Sequence, residues 1–175
     1  METDALNTLR LADPASRRSG LLAMRPPNAG ANWWLGVIQH VTLRATGPAM
    51  PDAHRRSWAE LSMNALEAAL ETGALDAQEV ATRQAWLCRS LAADDRPPSL
   101  RPDSAARRCL SLVGMSPAEV AATRWSLRVK DAPKIRKLRR IRILVVAAVG
   151  LAPQIEDDEL LHELAEWREI APTLP

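Results

Sequence analysis

The sequence predicts an all-α protein built from two small helical bundles, with about six or seven helices in total. Composition is the first observation behind this prediction. The chain has no Phe and no Tyr but six Trp, so most of its apolar volume comes from aliphatic residues. Ala and Leu favour helices, whereas Tyr and Phe are typical of strands. The other two observations are apolar residues that recur at helical spacing and clear helix-start signals.

The segment before residue 31 is weakly patterned. Three leucines near its start are compatible with one short helix, which the count of six or seven leaves out, and the residues after them are typical of a loop: Pro14, Gly20, Pro26, Pro27 and Gly30. A buried helix is predicted next, over residues 31–45, which are rich in Trp, Val, Ile and Leu. Gly47-Pro48 is expected to end that helix.

Two more helices are predicted before residue 96. One runs from about Asp52 to Thr72, with apolar residues at helical spacing and Gly73 as its stop. The next opens at a pattern that resembles a capping box, in which Asp76 is the N-cap and Glu79 is the third helical residue.

The run Arg96-Pro97-Pro98-Ser99 then breaks the chain. It predicts an N-terminal lobe of residues 1–95 and a C-terminal lobe of residues 99–175. Four helices are expected in the second lobe, because capping residues mark where they begin and glycines mark where two of them end. They run from about Asp103 to Gly114, from the capping box Ser116-Pro117-Ala118-Glu119 to about Leu127, from Asp131 to Gly150, and from about Glu156 to Ile170.

Motifs of known enzyme sites are absent from the sequence: there is no GxGxxG, no GK[ST] and no GxSxG. The stretch His162–Glu166 resembles HExxH but ends in Glu, so no metal is expected there. Cys88 and Cys109 lie among apolar residues, and we expect both cysteines and most of the Trp residues in the core. The sequence therefore predicts no catalytic site, no cofactor and no metal.

Membrane and export signals are not apparent either. The longest apolar run, Ile143–Ala152, is too short to cross a bilayer. The N-terminus is acidic and polar and does not resemble a signal peptide. We therefore expect a cytoplasmic protein.

Charge is segregated in the second half of the chain, although the formal net charge is only +2. Between Arg124 and Arg142 the only acid is Asp131, whereas the stretch from Glu156 to Glu169 has a single cation. Cations in the first of these stretches are the candidate nucleic-acid contacts: Arg124, Arg128, Lys134, Arg136, Lys137, Arg139 and Arg140.

At about 100° per residue, Leu138, Val145 and Val149 mark the buried face of the basic helix. Arg142 falls nearer that apolar side, where it would pack or snorkel. The cations that point away from it form what we call the basic ridge: Arg136, Lys137, Arg139 and Arg140. An exposed ridge of this kind suits the neutralisation of a phosphate backbone.

Other interpretations of the same charges stay open. The basic and acidic helices could form an antiparallel hairpin, in which the arginines pair with Glu163 and Glu166. Residues 114–140 could also be a helix-turn-helix of a stand-alone DNA-binding regulator, with Ile135–Arg142 as its recognition helix. A helical scaffold protein is the third alternative.

Four motifs follow one another within residues 84–167. They are the helix end Leu110–Gly114, Ser116 and Val120 with Arg124-Trp125, Leu138–Ile141 followed by Gly150, and Leu160–Trp167. In order and spacing they resemble the CasB family, the small subunit of type I-E CRISPR Cascade. Residues 1–83 do not match this pattern, and His54-Arg55-Arg56 is the candidate for the Arg-Arg stretch that the family has near its start.

The resemblance implies a non-catalytic subunit made of two small helical bundles. It implies that two copies form a head-to-tail pair within the complex, beside other Cascade subunits. It also implies that the basic face steadies the crRNA–target DNA duplex and the displaced strand without reading their sequence, because guide pairing supplies specificity.

Overall fold

The computed structural model describes residues 3–48, 50–127 and 130–175. Helix accounts for 76% of these residues and no strand occurs among them, so the predicted all-α fold is confirmed. The described residues form nine α-helices rather than six or seven, with three short 3-10 turns at Ala93–Asp95, Ala152–Gln154 and Ala171–Thr173. The α-helices are α1 (Thr3–Leu9), α2 (Pro14–Met24), α3 (Ala31–Thr46), α4 (Asp52–Glu71), α5 (Ala77–Ser90), α6 (Pro102–Val113), α7 (Pro117–Trp125), α8 (Ala132–Val149) and α9 (Asp158–Ile170).

Helix α2 lies where the sequence predicts a loop, and that prediction was wrong. Pro14 occupies the first turn, where its missing N–H leaves no hydrogen bond unmade. The Asp13 side chain caps the helix by accepting from the backbone N–H groups of Ala15 and Ser16. A Cβ on Gly20 would lie 2.2 Å from a methyl carbon of Leu9, so glycine permits a close approach to the side chain of Leu9. Proline and glycine are both compatible with helix in these positions.

Most of the predicted helix boundaries are confirmed within one or two residues. Gly73 and Gly114 follow α4 and α6 with φ of +67° and +65°, the left-handed region that glycine adopts without a Cβ penalty. Ser116 and Glu119 form the reciprocal capping box that the sequence predicts. Asp131 differs: it stands at the N-cap of α8, but its side chain makes no capping hydrogen bond.

The chain divides into two compact units. One consists of Met1–Val80 and Ser90–Leu100, and the other of Ala81–Arg89 and Arg101–Pro175. The predicted lobes, residues 1–95 and 99–175, stay a prediction, and the two units differ from them in residues 81–89 and near the break.

The first unit is centred on the packing of α3 against α4, with α2 also packed on α4. Trp34 and Val37 of α3 and Trp58 and Leu61 of α4 are each at most 1% exposed. The two large indole rings pack in a core that otherwise consists mostly of Leu, Val, Ile and Ala side chains.

The second unit is built around α8, which packs on α6, α7 and α9. Leu138 and Val145 of α8 and Trp167 of α9 are buried, as are Cys88 and Cys109. The expected core positions of the two cysteines are therefore confirmed. No helix in the described part of the chain is both long enough and apolar enough to span a bilayer.

Candidate nucleic-acid interface

Helix α8 displays its cations because its apolar residues fix its orientation. Leu138, Ile141 and Val145 are each at most 3% exposed and face the core of the second unit. Val149, which we also expected there, is only half-buried. The cations on the remaining surface of the helix are all exposed: Lys134, Arg136, Lys137, Arg139, Arg140 and Arg142. The prediction that the basic ridge is exposed is confirmed.

The cations of α8 differ in their carboxylate neighbours. The ammonium group of Lys134 lies 3.5 Å from a carboxylate oxygen of Asp131. Hydrogen bonds from Ser116 lower the pKa of the Glu119 carboxyl, and the positive charge of Lys137 lowers it further to a smaller extent. Lys137 therefore already interacts with a carboxylate. Among the described residues, no carboxylate oxygen lies within 4.0 Å of Arg136 or Arg139. These two arginines are therefore the ridge residues best placed to meet an external anion.

The acidic helix α9 does not neutralise these two arginines. Its N-cap, Asp157, accepts a hydrogen bond from Arg107 of α6 at 2.5 Å. That bond and the one from the backbone N–H of Leu160, the larger cause, lower the pKa of the Asp157 carboxyl. Glu166 lies 3.9 Å from His162 on its own helix. Within 4.0 Å, the acids of α9 in the described part of the chain thus contact Arg107 of α6 and His162 of α9 itself, which speaks against the hairpin interpretation for Arg136 and Arg139.

One of the candidate residues, Arg124 of α7, makes its contacts away from the ridge. Arg124 donates from Nε to the carbonyl oxygen of Thr173 at 2.8 Å, so it holds the C-terminal segment. Its guanidinium also lies 5.8 Å from the ring centroid of Trp125. Arg128 lies outside the described residues. The sequence could not show the role of Arg124, because it depends on where a segment almost fifty residues away packs.

Trp125 is 83% exposed, which corrects the expectation that it lies in the core. Trp86 is also 44% exposed, whereas Trp34, Trp58 and Trp167 are buried as expected. The signal for Trp125 was present in the sequence. Trp125 lies five residues after the buried Val120, so on a helix its side chain points about 140° away from that of Val120.

The connection between α7 and α8 bears on the helix-turn-helix alternative. Six residues of sequence separate the end of α7 at Trp125 from the start of α8 at Ala132, whereas the turn of that motif usually has about three or four residues. The length of this connection disfavours a helix-turn-helix.

The described residues hold no group of three or more His, Cys, Asp or Glu side chains arranged to bind a metal. The side chain of His162 is 85% exposed. Burial raises the pKa of the Cys109 thiol to about 11, and its sulfur lies 3.7 Å from the carbonyl oxygen of Ala81. A thiol held protonated in this way is a poor nucleophile.

No protein-family model, curated protein or solved structure matches this chain. The resemblance of residues 84–167 to CasB small subunits therefore stays a prediction.

Proposed function

We propose that the chain binds the phosphate backbone of nucleic acid through the basic ridge of α8, without catalysing a reaction and without reading sequence. The observation behind this proposal is that Arg136 and Arg139 are exposed and have no carboxylate within 4.0 Å among the described residues. They would bind a phosphate without first breaking an ion pair.

The shape of the site supports backbone contact rather than base recognition. Arginine forms bidentate hydrogen bonds with phosphate oxygens, which makes each contact both strong and oriented. Because Arg136 and Arg139 are three residues apart on α8, they project on one side of it. The net charge of the whole chain is only +2, so the attraction would be local to this face rather than a property of the protein at large.

We further propose the biological setting that the resemblance to CasB implies. In this setting the chain is a cytoplasmic small subunit of a type I-E Cascade complex, with crRNA, target DNA and other Cascade subunits as partners, and it is paired with a second copy. It would stabilise the opened target while base pairing with the guide supplies specificity. Support comes from the motif order in residues 84–167 together with the exposed arginines of α8.

The test compares two pairs of substitutions that remove the same charge. Arg136→Ala/Arg139→Ala removes two ridge cations, and Arg101→Ala/Arg168→Ala removes two exposed cations outside α8. Binding of fluorescent duplexes of two unrelated sequences is measured by anisotropy between about 50 and 200 mM salt. The ridge variant should reduce the magnitude of the slope of log K against log salt by about 1.8, that is, about 0.9 for each lost phosphate contact. The control variant should change the slope little, and both duplexes should respond alike.

Stability measurements separate this proposal from the hairpin alternative. Exposed side chains without an ion pair usually change the unfolding free energy by about 0.5 kcal/mol or less when replaced. The ridge variant should therefore unfold like the wild type. A marked loss of stability that a charge-swapped partner on α9 restores, with no nucleic-acid binding by the wild type, would contradict the proposal. A preference of more than about a thousandfold for one sequence would favour a DNA-binding regulator.

A further inference from the structure

A groove of about 740 Å³ lies between α5 and α8 in the second unit. Each helix lines it with residues at the i, i+3, i+4, i+7 spacing, which place one face of a helix along about two turns. The lining residues are Thr82, Ala85, Trp86 and Arg89 of α5, Arg139, Arg142, Ile143, Val146 and Ala147 of α8, and Pro175. Two facing stripes of this length leave room for a third element between them.

The floor of the groove is apolar but exposed. Trp86, Ile143 and Val146 are 44%, 52% and 49% exposed. Single exposed apolar residues are common on protein surfaces, but a contiguous group with a polar rim is typical of an interaction site. Trp and Arg are also the residues most enriched among those that dominate binding energy at protein interfaces.

The rim of the groove is positive over a long distance. A Cβ on Gly150 would lie 2.8 Å from Nη1 of Arg89, so Gly150 leaves space for that guanidinium at the C-terminal end of α8. Arg139 lies near the other end of the stripe, about 16 Å earlier along α8 at 1.5 Å per residue. Arg142 lies between them, and no described residue with an acidic side chain lines the groove. One carboxylate or phosphate could not reach both ends.

We propose that this groove binds an amphipathic helical segment of a protein partner, with acidic residues beside its apolar stripe. The apolar stripe would cover Trp86, Ile143 and Val146, and the acidic residues would pair with the spaced arginines. A nucleic-acid strand fits the groove less well, because bases stack on aromatic rings and gain little from the aliphatic side chains that form most of its floor. This proposal goes beyond the proposed function and does not depend on it.

Selection from a displayed library of random peptides of about fifteen residues, on the full-length chain, tests the chemistry without knowledge of the natural partner. We expect enriched sequences that combine Asp or Glu with large apolar residues at helical spacing. Binding of the selected peptides, measured by anisotropy, should weaken by about tenfold or more with Ile143→Asp and with Arg142→Glu. Arg136→Glu is the matched control, because it changes the same charge on the same helix outside the groove, and it should leave peptide binding nearly unchanged.

Circular dichroism and thermal melting show whether each variant is folded. If Ile143→Asp does not fold, Arg142→Glu still tests the proposal. Enrichment of peptides without the acidic and apolar pattern, or no enrichment, would overturn the proposal. An equal loss of binding with Arg136→Glu would show that charge alone attracts the peptides, which also overturns it. If Ile143→Asp instead weakens duplex binding, the groove belongs to the nucleic-acid site. Failure of the wild type to bind nucleic acid would leave the peptide result unaffected.

Discussion

The ion pair between Arg17 and Glu60 allows a stability prediction whose size follows from burial. The Arg17 side chain is 10% exposed and Glu60 is 27% exposed, and Nη1 lies 2.6 Å from Oε2. Nη2 of Arg17 also donates to the carbonyl oxygen of Arg10 at 3.0 Å. The buried Nε has no partner among the described residues. Glu60 is therefore the main compensation for a charge that is largely removed from water.

Glu60→Ala would leave the guanidinium buried without that countercharge. Breaking a fully buried pair costs about 3–5 kcal/mol, whereas an exposed pair contributes about 0–1 kcal/mol. Because Glu60 is partly exposed, we expect a loss of about 2–3 kcal/mol in unfolding free energy. Arg17→Met/Glu60→Leu removes both charges and should recover most of that loss, since apolar replacement of a buried pair is often neutral.

The pair Arg18–Glu71 is the matched control, because it joins the same two helices, α2 and α4, with side chains 49% and 50% exposed. Glu71→Ala should cost less than about 1 kcal/mol. Urea unfolding followed by circular dichroism measures all three variants. Equal losses for Glu60→Ala and Glu71→Ala, or a double variant as unstable as Glu60→Ala, would refute the argument from burial.

Three further predictions concern the second unit. Ser116→Ala should lower the unfolding free energy by about 1 kcal/mol at neutral pH, because it removes the acceptor of the Glu119 N–H at the start of α7; chemical unfolding measures it. Hydrogen bonds from Ser116, above all the one from its backbone N–H, lower the pKa of the Glu119 carboxyl. The ionised carboxylate therefore stabilises the fold at a pH above the ordinary pKa of Glu, and this stabilisation is lost as the pH falls through the lowered pKa. The Glu119→Gln variant should therefore be less stable than the wild type at neutral pH, and the difference in unfolding free energy should shrink in acid. Chemical unfolding at several pH values measures this difference, and a difference that grows in acid would contradict the prediction. Cys109, with its pKa raised to about 11 by burial, should react with a disulfide reagent at neutral pH only as fast as the protein opens, and rapid reaction of the folded protein would show that it is accessible.

Sequence patterns predicted the parts of this fold that depend on near neighbours in the chain. Helix starts such as Ser116 and stops such as Gly114 are local, because each is made by residues within one turn. The exposure of Arg136 and Arg140 also followed from helix geometry once Leu138 was placed in the core. Helix α2 was missed because the contact between Gly20 and Leu9, which explains the glycine, lies between two helices.

The parts of the site that depend on tertiary packing could not be predicted. Arg142 was expected nearer the core, but it is exposed and lines the groove with Trp86 of α5. No spacing in the sequence indicates that α5 faces α8 there. Arg124 likewise binds Thr173, a contact that the charge pattern of residues 124–142 does not reveal. The candidate site that the sequence outlines is therefore a charged helix, and the structure reduces its best-placed anion contacts to Arg136 and Arg139.

The salt dependence of wild-type binding to one duplex tests the central claim most directly. If Arg136 and Arg139 each contact one phosphate, log K should fall with log salt with a slope of about −1.8, at −0.9 per contact. Between about 50 and 200 mM salt this corresponds to a roughly twelvefold loss of affinity. A slope near zero, or no binding at about 50 mM salt by the chain alone or within its assembly, would contradict the claim that α8 binds a phosphate backbone.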